Sequence, residues 1–164
     1  MGKVFYEDDD ATFVQDRNLL IAIYRGCPTV THIRVLRAEF QRQAENWPDG
    51  VAVLVAVHAE GWVPRFDEGF RNEIHEMVVE TERSSLGTAF VLTGHGMVTS
   101  GLRAFVNGVF LLSRSREPNR VFADLSTAVT WLANLPGVDS QWSAGELVDC
   151  GLTYGIGGQL RRAS

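Results

Sequence analysis

The run Val51-Ala52-Val53-Leu54-Val55-Ala56-Val57 is the feature that most constrains this chain, because it is apolar at every position. A strand with one wet face alternates apolar and polar residues. A continuous run of this kind belongs to a strand covered on both faces, as a central strand of a parallel sheet is. The segments around it read as the covers. Upstream, Ile33, Leu36, Phe40, Ala44 and Trp47 recur at helical spacing, with Thr29 or Thr31 placed to cap the start and Pro48-Asp49-Gly50 to stop it. Downstream, Asp67 can cap a second helix whose inner stripe is Phe70, Ile74, Met77 and Val78.

The same strand, loop and helix order then repeats. An apolar run over 88–92 breaks at Gly94-His95-Gly96, enters a helical pattern over 97–114 and returns as Arg120-Val121-Phe122. Asp124 then caps a last helix carrying Ala128, Trp131 and Leu132. Before all of this, short strands over 4–6 and 11–14 flank the acidic turn Glu7-Asp8-Asp9-Asp10, and 18–24 is a stronger strand. The layout predicts an α/β fold: one domain over 1–136 with a mixed, mostly parallel sheet of four to six strands and about four helices. A Ser/Gly-rich tail over 137–164, with a possible short helix over 144–149, closes the chain.

The third helix differs from the others. Val98, Leu102, Phe105, Val106, Val109 and Leu112 make one apolar stripe, Met97, Gly101, Ala104, Gly108 and Leu111 make a second, small-residue side, and only Thr99, Arg103 and Asn107 make a polar strip. A helix apolar over most of its circumference is covered from more than one direction. The cover is either a neighbouring helix or the tail, or a second copy of the protein in a homodimer.

Composition excludes several functions. The charge count, 15 Lys+Arg against 20 Asp+Glu, leaves −5 with no basic cluster before Arg161-Arg162, so nucleic acid is a poor partner. No apolar run approaches the roughly 20 residues of a membrane span. Cys27 and Cys150 lie far apart without a CxxC pattern, and no basic-then-apolar leader opens the chain, which points to a cytoplasmic location. His32, His58, His75 and His95 lack metal-ligand spacing, so no metal site and no cofactor are expected.

The phrase Phe122-x-Asp124-x-x-x-Ala128-x-x-Trp131-Leu132, with the β-rich entry and strand–helix units before it, resembles the STAS-like superfamily, the small domains of anti-sigma-factor antagonists and sulfate-transporter tails. The similarity covers roughly residues 3–135. The resemblance implies a module of a mostly non-enzymatic family that binds protein partners, some members of which bind nucleotides or lipids. Antagonists of that family are phosphorylated on a serine opening the helix after the central strand. Here the connection 58–67 has neither Ser nor Thr, so that switch is not carried over.

Two functional readings follow. The first is a non-catalytic regulatory interaction module of STAS-like type whose contacts come from Trp62 and Phe66 and from the acidic flank Glu73, Glu76 and Glu80. The alternative is a small-ligand or anion binder, or a modest enzyme, using a crevice near His58 and His95 with Glu60, Arg65, Gly94 and Gly96. Open α/β sheets place ligands beyond the carboxyl ends of their strands, and a glycine turn opening a helix favours negative charge.

Overall fold

The computed structural model describes residues 2–112 and 118–139. Its elements run β1 (Lys3–Glu7), β2 (Ala11–Asp16), β3 (Leu19–Tyr24), α1 (Val30–Asn46), β4 (Val51–His58), α2 (Glu68–Thr81), β5 (Ser85–Thr93), α3 (Met97–Leu112), β6 (Asn119–Phe122) and α4 (Leu125–Ala133). Among the described residues the strands form one six-stranded sheet in sequence order. β1, β2 and β3 are antiparallel neighbours, and β3 to β6 run parallel. This is the α/β arrangement with a mixed sheet that the alternation predicts.

The central run sits where its composition requires. β4 pairs with β3 on one side (Leu54 opposite Ile21) and with β5 on the other (Val55 opposite Phe90). None of its seven apolar residues is more than 6% exposed. Side chains alternate across the sheet. Val51, Val53, Val55 and Val57 therefore join Leu36 and Phe40 of α1 and Leu102 of α3 on one face, while Ala52, Leu54 and Ala56 join Ala128, Val129 and Leu132 of α4 on the other. Burying each Val or Leu in this way contributes about 1.5–3 kcal/mol.

The helices start at side chains that satisfy their first free amides. Thr29 caps α1, Asp67 caps α2 and Asp124 caps α4. α3 follows Gly96, which has no side chain to offer.

One polar residue ties three parts of the chain together at the amino ends of the parallel strands. Asn18 is 1% exposed. Its amide nitrogen donates to the carbonyls of Gly50 at 3.2 Å and Gly137 at 2.8 Å, and its side-chain oxygen accepts from the amide of Asp139 at 3.1 Å. Gly137, Val138 and Asp139, the first residues of the Ser/Gly-rich segment, are thereby held against the sheet, with Val138 in the core. The rest of that segment, including the helix expected over 144–149 and its expected packing on α3, lies outside the described residues. So does the end of the helical pattern after 112. Replacing Asn18 by Ala removes three hydrogen bonds to backbone groups, of which that of Gly50 is buried, and the expected loss is about 2–3 kcal/mol in urea unfolding, since each net hydrogen bond is worth about 1 kcal/mol.

Candidate functional site

The acidic flank of α2 pairs with α1: Glu73 is buried against it, while Glu76 and Glu80 reach it from exposed positions. Glu73, Glu76 and Glu80 recur at helical spacing and meet cations at similar spacing on α1. Glu73 accepts from Arg34 Nε at 3.0 Å and Arg37 Nη1 at 2.7 Å. Glu76 accepts from Arg37 Nη1 at 3.0 Å, and Glu80 takes Arg37 Nε at 3.2 Å and Gln41 at 2.7 Å. The hydrogen bond to Glu76 and the charges of Glu80 and Glu73 hold the Arg37 guanidinium above its ordinary pKa, against the effect of burial. Glu73 is 7% exposed, so its partners matter: a carboxylate buried without them would be strongly destabilising.

At the carboxyl ends of β4 and β5 the structure brings His58, Glu60 and Gly94 together. His58 and Thr93 are register partners, and Nδ1 of the imidazole lies 3.0 Å from Thr93 Oγ1. Its Nε2 is 3.5 Å from Glu60 Oε2. Gly94 has φ +110, and a Cβ there would lie 3.3 Å from Glu60 Cγ and 3.4 Å from Thr99 Oγ1, so this tight approach needs glycine. Thr99, in the first turn of α3, is 8% exposed, and its hydroxyl has no hydrogen-bond partner among the described residues. His95 and Gly96 are exposed beyond this cluster.

Arg65 instead lines a cleft of about 620 Å³ between the segment after β3 and the segment after β4. Its walls include Asp10, Cys27, Thr29, Trp62, Asp67 and Phe70. The aromatic loop residues fold back toward the sheet. Trp62 Nε1 donates to the carbonyl of His58 at 2.8 Å, and Phe66 stacks on Phe70 and Phe105 with centroids 4.5 and 4.8 Å apart. Val63, between them, is 72% exposed. Arg65 is exposed and makes no hydrogen bond or ion pair among the described residues. The Cys27 thiol points to the carbonyl of Pro28 at 3.6 Å.

Beside this cleft lies an organised group that sequence reasoning passes over. His32 is the third residue of α1 and completes a capping box: Thr29 Oγ1 accepts from His32 N, and Thr29 N donates to His32 Nδ1 at 3.2 Å. Nδ1 therefore acts as acceptor, and the proton on Nε2 is donated to Asp8 Oδ2 at 2.8 Å. Tyr6 donates to the same oxygen at 2.6 Å, and the amides of Asp10 and Ala11 donate to Asp8 Oδ1. Desolvation pushes the Asp8 carboxyl up, but these hydrogen bonds outweigh it and hold the group well below the usual carboxylate range. Rings of Tyr6, Phe13 and Tyr24 surround His32 at 5.6–5.9 Å. Burial, with the nearby Asp8 and Tyr6, raises the pKa of the Tyr24 hydroxyl. The signals in the sequence are the acidic turn 7–10 and a hydrogen-bonding residue three places after Thr29.

No family model, curated protein or solved structure matches this chain.

The site must therefore be read from its own chemistry. Among the described residues no group of three or more His, Cys, Asp or Glu side chains is placed to hold a metal ion, and no helix is long and apolar enough to cross a membrane. Asp8 gives the cluster a defined pH response. A carboxylate whose folded pKa is depressed contributes stability that is complete above its unfolded pKa, about 3.9, and is lost as pH falls toward the folded value. Asp8→Asn is expected to cost about 1–2 kcal/mol at pH 7, at the low end for bonds to a charged group because the side chain is 37% exposed. The gap between wild type and variant should close as denaturation is repeated below about pH 4. A gap that stays constant would show that the charge is not what Asp8 contributes.

Proposed function

We infer that this chain is a non-catalytic regulatory module that binds a protein partner at the carboxyl edge of its sheet, its cleft receiving a carboxylate-bearing segment of that partner. The observation that carries this is Arg65, an exposed guanidinium without a partner among the described residues, lining a cleft of about 620 Å³. Guanidinium forks pair with carboxylates in two parallel hydrogen bonds. Val63, two residues away and 72% exposed, offers an apolar contact on the same loop.

The form of the cleft favours a macromolecule. Gly61, Val63, Arg65 and Asp67 all line it and are all exposed, so a small molecule would keep much of its surface wet. Small-molecule sites usually enclose 70–90% of the ligand. The reactive side chains nearby are also committed elsewhere: both ring nitrogens of His32 are hydrogen-bonded, and Cys27 faces a carbonyl and not a base. The STAS-like resemblance, which rests on layout, points to the same class of function.

The test titrates the full chain with carboxylate-rich peptides and follows backbone amides by NMR. Shifts are expected over 26–30 and 61–67. Arg65→Ala should weaken binding about tenfold, equivalent to ~1.4 kcal/mol, with an unchanged melting temperature. Shifts confined to another surface would overturn the reading.

A second reading, an anion site at the start of α3, is favoured by Thr99 alone. Its buried hydroxyl lacks a partner among the described residues and sits beside Gly94, just before the helix whose first amides favour an anion. Glu60 already places a carboxyl side chain there, so the anion would have to displace it. If this reading holds, inorganic phosphate should raise the melting temperature of the wild type but not of Thr99→Val. Equal response of the two proteins removes it.

A further inference from the structure

We propose that the outer face formed by α2 and α3 is the contact between two copies of this chain, related by a two-fold axis. The proposal concerns a surface apart from the Arg65 cleft and does not depend on it. The face exposes large apolar side chains that no described residue covers. Met97 is 91% exposed, Leu111 86% and Val79 56%. Between the two helices lies a groove of about 500 Å³ with Ile74, Val78, Phe105 and Val109 among its walls.

The occupant is identified by self-complementarity. At 100° per residue, Met97, Gly101, Ala104, Gly108 and Leu111 fall within an arc of about 80° on α3. The stripe reads nearly alike in both directions from Ala104, with a large residue seven places before and seven after and glycines three before and four after. No described residue lies within 4 Å of a Cβ built on Gly101 or Gly108, so a neighbouring backbone has room to approach. An antiparallel copy crossing at Ala104 sets small residues against small ones and Met97 against Leu111 of the partner subunit. A contact of this kind, the same patch on both subunits, is what a two-fold dimer requires.

The charges obey the same symmetry. Arg71 and Glu82 line the groove at opposite ends of α2, eleven residues or about 16 Å apart, and neither side chain is paired among the described residues. The axis that crosses α3 with its copy also stacks α2 on its copy in the opposite direction. Arg71 then meets Glu82 of the partner subunit, and Glu82 meets Arg71 of the partner subunit. An unrelated partner has no reason to match both patterns.

The test is sedimentation equilibrium of the full chain over a wide concentration range. Wild type is expected to dimerise. Ala104→Glu, at an exposed helical position where the monomer has room for the side chain, should raise the dimer dissociation constant at least tenfold with an unchanged melting temperature. Arg71→Glu should weaken the dimer, and the double variant Arg71→Glu with Glu82→Arg should restore it, which only a contact pairing these two positions predicts. A chain that stays monomeric at the highest concentration, or a dimer indifferent to Ala104→Glu, overturns the proposal. Because Ala104 lies outside the cleft, peptide binding at Arg65 is read separately and survives or fails independently.

Discussion

β4 has no wet face, and that single constraint organises the rest of the domain. A strand with seven consecutive apolar residues must have a strand on each edge and a helix layer on each side, or its backbone and side chains are left unsatisfied. β3 and β5 supply the edges in parallel register. Parallel neighbours need crossovers, and α1 and α2 are those crossovers, spanning from β3 to β4 and from β4 to β5. The small residues Ala52 and Ala56 on one side let α4 sit close, whereas valine at every other position on the opposite side meets the larger helices.

A sheet assembled this way still has loose ends, and two polar residues secure them. At the amino end Asn18 joins the β2–β3 turn, the entry to β4 and the segment after α4. At the opposite end Asp8 gathers Tyr6, His32 and two turn amides, fixing the β1–β2 hairpin to the start of α1. Asn18 is a buried hydrogen-bond hub and Asp8 a more exposed one that ties four donors to a single carboxylate, so losing a member costs more than losing an isolated surface pair would. Their effect reaches the cleft, whose walls include Asp10 from the first hairpin and Thr29 from the α1 cap. At Gly26 this packing is tight enough that a Cβ would come 2.1 Å from Asp10 Oδ1.

The elements were legible in the sequence because their signals are local. Asp67 and Asp124 announce helix starts by residue type, and 51–57 announces its burial by lack of alternation. The partners of the acidic flank were not, because Arg34 and Arg37 lie 36 to 39 residues from Glu73 and only the packing of α1 on α2 brings them together. The loop 62–66 was open for a similar reason. Whether Trp62 faces outward or donates to the carbonyl of His58 depends on the end of β4, not on the loop's own composition. His58 and His95 stood out as loop histidines, yet the more constrained imidazole is His32, hidden in a helical pattern where it reads as an ordinary polar position.

The surface charges carry a further lesson about net charge as a guide. The chain is acidic by five, but three of its carboxylates are spent on α1, and the cleft carries an exposed cation, Arg65, beside Asp10 and Asp67. The glycines of α3 follow the same logic. Each costs up to about 1 kcal/mol relative to alanine in a helix interior, and neither Gly101 nor Gly108 has a positive φ or a crowded neighbour that would require it. Among the described residues nothing gains from either glycine. A backbone arriving from outside does, because only a missing side chain lets two helices approach to the short separation at which the flanking Met97 and Leu111 can close over the gap.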